Sequence, residues 1–322
     1  MGSEMCIRDS LGGYRLFAYG PIPSRRLGRS VGVSPIPPKT CSYSCVYCQL
    51  GRTNHLQVKR ESFYPKEEIL NDIRKVIENA PADYITFVGD GEPTLCKDLG
   101  WLIHETKKEF SLPIAVITNS SLFYREDVRT DLKESDVILP TLDAGTYEVF
   151  KKINRPHKSI TFDKMLQGLI DFRREYPGKI WLEVMLVKDL NDTKETLSRT
   201  KIALDRIRPD RVYIAAPIRP PAESWVEPST PDRILLAQKI LGESWDITSR
   251  ESGKFGVSEF SNVREAIHEI CSRHPLREEQ AMEIERKFSQ EGTIEQMIRN
   301  SELVKIEYQN ETYLLPKELI VR

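Results

Sequence analysis

Cys41-Ser42-Tyr43-Ser44-Cys45-Val46-Tyr47-Cys48 holds three of the chain's six cysteines in eight residues, spaced C-x3-C-x2-C, and the next cysteine is Cys96. Three thiolates from one short loop suit three irons of a [4Fe–4S] cluster and leave the fourth iron open to substrate or cofactor, whereas electron-transfer clusters are closed by four cysteines. A tight cysteine cluster without secretory context points to metal rather than to disulfides. The competing reading is a structural zinc site with His55 as fourth ligand. Zinc sites pair two C-x2-C knuckles, or one knuckle with two histidines, and neither pattern is present. Cys96 and Cys271 stand alone and are expected to be buried small hydrophobes.

Around this loop the chain is basic. Residues 11–60 carry eight Lys or Arg (Arg15, Arg25, Arg26, Arg29, Lys39, Arg52, Lys59, Arg60) and no Asp or Glu. A thiolate-ligated cluster and an anionic ligand would both be favoured by a basic rim, although a solvated surface can also be basic. The whole chain has 322 residues, 39% hydrophobic and 30% charged, with a net charge of −1. These values fit a folded α/β domain with a small appendage and give no general bias toward nucleic acid. No apolar run approaches membrane-spanning length, so a cytoplasmic location and no membrane partner are expected. Met5–Ser10 looks like a translated sequencing adaptor; residues 1–18 are therefore read as a non-native or disordered leader, and Cys6 is set aside.

Outward from the cysteines, short apolar runs alternate with helical periodicity. Strands are expected at 31–33, 84–88, 114–117, 137–139, 180–187 and 212–215, and helices at 65–79, 99–110, 126–133, 162–176 and 194–207. Strands without polar alternation, separated by helices, indicate a parallel sheet covered by helices. Six such units predict a partial (β/α)6 barrel over residues 19–243, with a doubly wound open sheet as the alternative. The strand ends are polar: Gly89-Asp90-Gly91-Glu92-Pro93, Thr118-Asn119-Ser120-Ser121, Thr141-Leu142-Asp143-Ala144-Gly145, Asp189–Asp192 and Pro217–Pro221. In a parallel barrel these ends share one face, where active sites are built. Glu183 is placed to line the barrel interior, or to belong to a satisfied core network. Arg155 and His157, in the run after the fourth strand, are candidates for an anionic ligand, or simply close a helix.

Beyond residue 228 one more helix is expected at 231–241, followed by a Ser/Gly-rich linker over 244–262. Three short helices (263–272, 277–288, 293–299) and a hairpin (303–308 with 312–315) then predict a small carboxy-terminal α+β, winged-helix-like domain over 263–322. Residues 261–322 hold nine Lys/Arg and twelve Asp/Glu, net −3. Phosphate neutralisation requires clustered positive charge, so packing, lid or protein contact is the first reading and nucleic-acid binding the second.

The C-x3-C-x2-C spacing with Tyr47 before its last cysteine resembles the signature of the radical S-adenosylmethionine (SAM) superfamily. The longer run Gly20-Pro21-Ile22-Pro23-Ser24-Arg25-Arg26-Leu27-Gly28, then Lys39-Thr40, the cysteines and Gln49-Leu50-Gly51-Arg52-Thr53, resembles iron–sulfur oxidoreductases related to wyosine-forming tRNA enzymes. The resemblance covers roughly residues 20–225 and favours the partial barrel. It implies that Cys41, Cys45 and Cys48 hold a [4Fe–4S] cluster and that SAM chelates the open iron. It implies reductive cleavage to methionine and a 5′-deoxyadenosyl radical, driven by an external one-electron donor of flavodoxin or ferredoxin type. By the same resemblance Gly89, Asp90, Gly91 and Glu92 hold the SAM amino group, and Thr141 or Asp143 the ribose. Asn119 is a polar group at the site, and the backbone near Met185–Val187 meets adenine. The substrate is not implied. RNA modification is one candidate, weakened because the wyosine-forming enzymes carry a second, upstream cysteine set that this chain lacks. The alternative function is a non-catalytic, metal-stabilised protein that binds nucleic acid or a partner.

Overall fold

A computed structural model describes residues 16–249, 251 and 253–320. It opens with an antiparallel hairpin, β1 (Ala18–Ser24) and β2 (Gly28–Val33). Two-residue strands β3 (Thr40–Cys41) and β4 (His55–Leu56) then pair in parallel across the base of the cysteine loop. The βα units follow: α1 (Lys66–Asn79), β5 (Tyr84–Val88), α2 (Leu99–Glu109), β6 (Ile114–Thr118), α3 (Glu126–Asp131), β7 (Val137–Pro140), α4 (Tyr147–Ile153), α5 (Phe162–Glu175), β8 (Lys179–Met185), α6 (Lys194–Ile207), β9 (Arg211–Ala215), α7 (Pro231–Leu241) and β10 (Trp245–Asp246). The sheet order is β1-β2-β5-β6-β7-β8-β9-β10, parallel from β2 onward.

The strands are apolar throughout because they serve two cores. Ile114, Val116, Ile138, Ile180, Leu182 and Ile214 pack outward against helix residues such as Ile73, Leu102, Leu169 and Leu204. The alternate residues Ala115, Leu139, Trp181, Tyr213 and Ala215 point inward and form a separate cluster with Leu27 and Ile247. Side chains alternate across a strand, so each run divides between the two. All the helices named here lie in the outer cluster, which makes the sheet a curled partial barrel rather than a doubly wound sandwich.

Several boundaries differ from the sequence expectation. Residues 1–15 of the expected leader lie outside the described residues, but Phe17 and Ala18 are buried in the core. Strand β1 and helix α4 have short or Pro-interrupted sequences that periodicity does not register. The strand expected over 180–187 ends at Met185, because the Val187 amide turns to the Asn191 side chain. The stretch 244–262 is not a free linker. Trp245–Asp246 adds to the sheet edge beside β9, Ile247 plugs the barrel, and the chain then crosses to the opposite edge. There the Gly256 amide donates to the Pro21 carbonyl (2.7 Å) and Glu259 accepts from the Gly20 amide (2.6 Å). The segment thus spans the gap between the two edge strands.

The carboxy-terminal region runs α8 (Val263–Arg273), β11 (Leu276–Arg277), α9 (Glu278–Phe288), α10 (Thr293–Arg299), β12 (Leu303–Tyr308), β13 (Glu311–Pro316) and α11 (Lys317–Ile320). Its antiparallel sheet has the order β11-β13-β12. Val263, Ile267, Ile270, Cys271, Ile284, Met297 and Leu314 form its core, together with Tyr19 of β1. Cys96 is buried in the barrel's outer core, so both isolated cysteines behave as small hydrophobes.

Candidate metal and cofactor site

The cysteine loop is held by backbone on three sides. Residues 153–157, just past α4, run beside it: Val46 donates to Ile153 O (2.9 Å), Ser44 to Asn154 O (3.1 Å) and His157 to Ser42 O (2.8 Å). On another side Glu223 N donates to Val46 O (3.1 Å). On the third, the Gly89–Glu92 loop packs against the loop's entry, with Lys39 N on Asp90 O (2.6 Å) and Glu92 N on Thr40 O (3.1 Å). The glycines serve that contact. A Cβ on Gly91 would lie 1.8 Å from Thr40 O, and one on Gly89 would lie 2.5 Å from Ile36 Cδ1.

Cys41, Cys45 and Cys48 all line one cavity of about 270 Å3 at the carboxy-terminal ends of the strands. The Asn119 side-chain amide points at Cys41 Sγ (3.4 Å) and that of Asn154 at Cys45 Sγ (3.5 Å). Burial, and then Glu92, push the Cys41 thiol up to about 12; burial, and then Asp143, push Cys45 well above the usual thiol range; burial also raises Cys48. Such thiols ionise when a metal displaces the proton. His55 is exposed on β4 and does not line the cavity. Among the described residues no three His, Cys, Asp or Glu side chains gather as a single bare ion requires. Three thiols on one wall, with amides aimed at two sulfurs and no histidine or fourth cysteine beside them among the described residues, fit a cubane with one open iron.

The other expected residues divide. Tyr47, Gly89, Asp90, Gly91, Glu92, Asn119 and Thr141 line the cavity, as does Met185; Asp143 does not. The buried Asp143 carboxylate accepts from Tyr47 OH (2.5 Å), Asn154 Nδ2 (2.7 Å) and Met185 N (2.9 Å), so it positions the wall from behind. Burial raises it to about 6 against those three hydrogen bonds. Nor is Glu92 a free carboxylate. Its Oε1 accepts from Thr94 N (3.1 Å), Thr94 Oγ1 (2.6 Å) and Thr118 Oγ1 (2.6 Å), and its Oε2 from Asn119 N (2.7 Å). Burial raises its pKa, and these donors oppose the rise. One acceptor position remains on Oε2. Asp90 turns its carboxylate toward Arg273 of α8, 3.4 Å away. The Met185 and Val187 amides are taken by Asp143 and Asn191, and the Leu186 amide by Ala215 O, so this stretch presents the Met185 side chain instead.

The basic run is mostly neutralised by acids from later in the chain. Arg26 pairs with Glu183 inside the barrel, Arg29 with Asp83, Arg52 with Glu223, and Arg60 with Asp127 and Asp131; Lys59 pairs with the nearby Glu61. Among the described residues of the run, only Arg25 and Lys39 reach the cavity. Arg155 also pairs with Glu223 (2.5 Å), and His157 lies against Ser159 (2.9 Å). Sequence reasoning missed Asn154, 109 positions from Cys45, and Asn191, whose amide ties Asp143 O to Met185 O. Asn191 lies in the polar strand-end run Asp189–Asp192, but no local pattern marks its tie to Asp143 or that of Asn154 to Cys45.

Residues 36–199 match the profile of the Radical SAM superfamily. The chain belongs to this superfamily. Among proteins similar to this radical SAM enzyme is UPF0026 protein MJ1312 of Methanocaldococcus jannaschii, 40% identical over 309 residues, 92% of this chain and 95% of that protein. A UPF0026 protein of Helicobacter pylori (strain 26695) is 31% identical over 268 residues, covering 82% and 86% respectively. In fold the radical SAM barrel is similar to Streptococcus suis SuiB bound to S-adenosylmethionine (TM-score 0.51, 15% identity, 68% of this chain and 50% of that one). It is similar too to the FeFe-hydrogenase maturase HydG of Carboxydothermus hydrogenoformans (TM-score 0.50, 16% identity, 70% and 54%). Radical SAM enzymes use a [4Fe–4S] cluster and SAM and draw on an external electron donor. No helix among the described residues is long and apolar enough to cross a membrane.

Proposed function

We propose that Cys41, Cys45 and Cys48 ligate the cluster and that this cavity is where SAM is cleaved. The observation that carries the reading is the three-thiol wall with no fourth cysteine or histidine among the described residues that line the cavity. The bound cofactors supply one-electron cleavage of the sulfonium to methionine and a 5′-deoxyadenosyl radical; the protein supplies ligation, orientation and a dry site. Asn119 and Asn154 hold the sulfurs through N–H donors. Glu92 offers its remaining Oε2 position to the SAM ammonium, and Thr141 and the Tyr47 ring line the cavity on the side of β7. Asp143 fixes Tyr47 rather than meeting the ribose. The electron donor is of flavodoxin or ferredoxin type. RNA as substrate is the second reading: a tRNA-2-methylthio-N(6)-dimethylallyladenosine synthase of Herpetosiphon aurantiacus is 25% identical over 190 residues.

The test is anaerobic reconstitution followed by reduction with dithionite. The protein should hold about four irons and four sulfides, and release 5′-deoxyadenosine when given SAM. Cys41→Ala, Cys45→Ala and Cys48→Ala should each lose the cluster, while Cys96→Ala and Cys271→Ala keep it. An intact reduced cluster that neither binds nor cleaves SAM would overturn the reading in favour of a metal-stabilised interaction protein.

A further inference from the structure

The cavity has an end that neither the cysteines nor the Gly89–Glu92 loop supplies. Arg25 lies in the β1–β2 turn, so it reaches the cavity from the opposite end of β2 to the cysteine loop. Arg219, in the loop after β9, lines the same cavity together with Ala216, Pro217 and Ile218.

The neighbouring cations are compensated: Arg26 by Glu183, Arg219 by Glu251 (2.9 Å), and Arg273 by Glu269 (2.5 Å) and Asp90. Arg25 is not. Its Nη1 donates to the carbonyls of Ile247 and Ser249 (the latter at 2.9 Å), its Nε and Nη2 bond no described residue, and it forms no ion pair among the described residues. Burial, and then the charge of Arg219, hold Arg25 down at about 10, with the Glu251 and Asp246 carboxylates opposing. Arg219 in addition keeps a buried Nε without a partner. A buried donor left unpaired in a native fold, as Arg219 Nε is, calls for an explanation. The acids on the same wall do not answer it, because Glu92 is held by four donors and Asp90 faces Arg273. Nε and Nη2 of a guanidinium form a planar fork that matches a carboxylate or phosphate edge.

We propose that Arg25, seconded by Arg219, receives the carboxylate or phosphate group of the substrate at this end of the cavity. The inference rests on the reading of the cavity as the reaction site and adds the class of substrate: one that carries a planar or tetrahedral oxyanion. The carbonyls of Ile247 and Ser249 fix the guanidinium, so the segment that closes the barrel also sets the direction of the fork.

The test titrates reconstituted wild type, Arg25→Gln and Arg25→Lys with inorganic phosphate and, separately, with SAM. Phosphate affinity should fall about tenfold in Arg25→Gln, the loss of one charge-assisted pair. It should fall less in Arg25→Lys, which keeps the charge without the fork. SAM affinity should stay within about twofold, since less than 0.5 kcal/mol is at stake. In the wild type, which avoids any folding defect, phosphate should slow modification of Arg25 by phenylglyoxal, read by mass spectrometry, and leave the exposed Arg174 unaffected. Absence of phosphate binding by the wild type, equal affinity in Arg25→Gln, or unprotected Arg25 overturns the proposal. A parallel loss of SAM affinity assigns the fork to the SAM carboxylate and also overturns it. Phosphate binding that depends on Arg25, in a protein that never binds SAM, keeps the anion site and defeats the radical SAM assignment of the cavity instead.

Discussion

A methyl group on Gly91 would sit 1.8 Å from the Thr40 carbonyl oxygen, and Thr40 precedes Cys41, the first of the three clustered cysteines. The clash is with backbone, so no rotamer change relieves it. Gly91→Ala should therefore lower iron content after reconstitution to well under half of wild type, although it removes no ligand. Wild-type iron content in that variant would show that the loop is free to shift. Glu92→Gln is the complementary case. Whichever way the amide lies, its NH2 meets a backbone N–H, from Thr94 or from Asn119. The expected cost is about 1–3 kcal/mol, read as a lower urea midpoint, together with weaker SAM binding. Unchanged stability would mean that the four donors find other partners. Glu92 thus has two duties, and a loss of SAM binding alone would not isolate the second.

At the scale of elements, the stretch 247–260 decides whether the barrel is closed. Ile247 packs in the inner cluster and Tyr19 against the carboxy-terminal core, so truncation at residue 243 should uncover the inner cluster and Tyr19 and yield aggregated or loosely packed protein, seen as lost near-ultraviolet circular dichroism. A well-folded 19–243 fragment would restore the linker reading. Where α8 ends, His274 lies 3.0 Å from Arg219 Nη2 and 3.2 Å from Glu251 Oε1. Burial, and then Arg219, depress His274 from 6.5 to about 4. The folded state therefore binds this proton less readily than the unfolded chain. Its contribution is intact above pH 6.5 and declines as the pH falls toward 4. The melting temperature should drop across that window, by less in His274→Gln; equal slopes would remove His274 as the cause.

For the molecule as a whole, the carboxy-terminal region is docked against the loops at the cavity's rim rather than tethered near them. Gln49, next to the last cysteine, donates to Arg273 O (2.9 Å) and accepts from Arg219 (2.9 Å). Tyr308 and Tyr313 donate to the carbonyls of Pro217 and Ile218 (2.8 and 2.7 Å). The region's net charge of −3 offers phosphates little. The full chain should accordingly bind generic single-stranded RNA weakly; nanomolar affinity with a steep salt dependence would place the positive charge elsewhere and revive RNA as the substrate.

The cysteine spacing determined the metal chemistry, and apolar runs alternating with helical periodicity determined the parallel sheet, because both signals lie within a few residues of chain. The Gly89–Glu92 motif was legible as part of the site, but its main contact was not: Gly91 packs on Thr40, 51 positions earlier, and a glycine carries no mark of what approaches it. The basic run around the cysteines was correctly counted, yet its meaning was tertiary. Asp83, Asp127, Asp131, Glu183 and Glu223 arrive from distant elements and cancel most of it, leaving Arg25 and Lys39, among the described residues of the run, without an ion pair. Asp143 read as a ligand-facing acid at a strand end, and only packing showed Tyr47 in front of it. Charge and spacing are properties of sequence; which charges meet, and which side chains reach the cavity, depend on long-range contacts that local pattern does not encode.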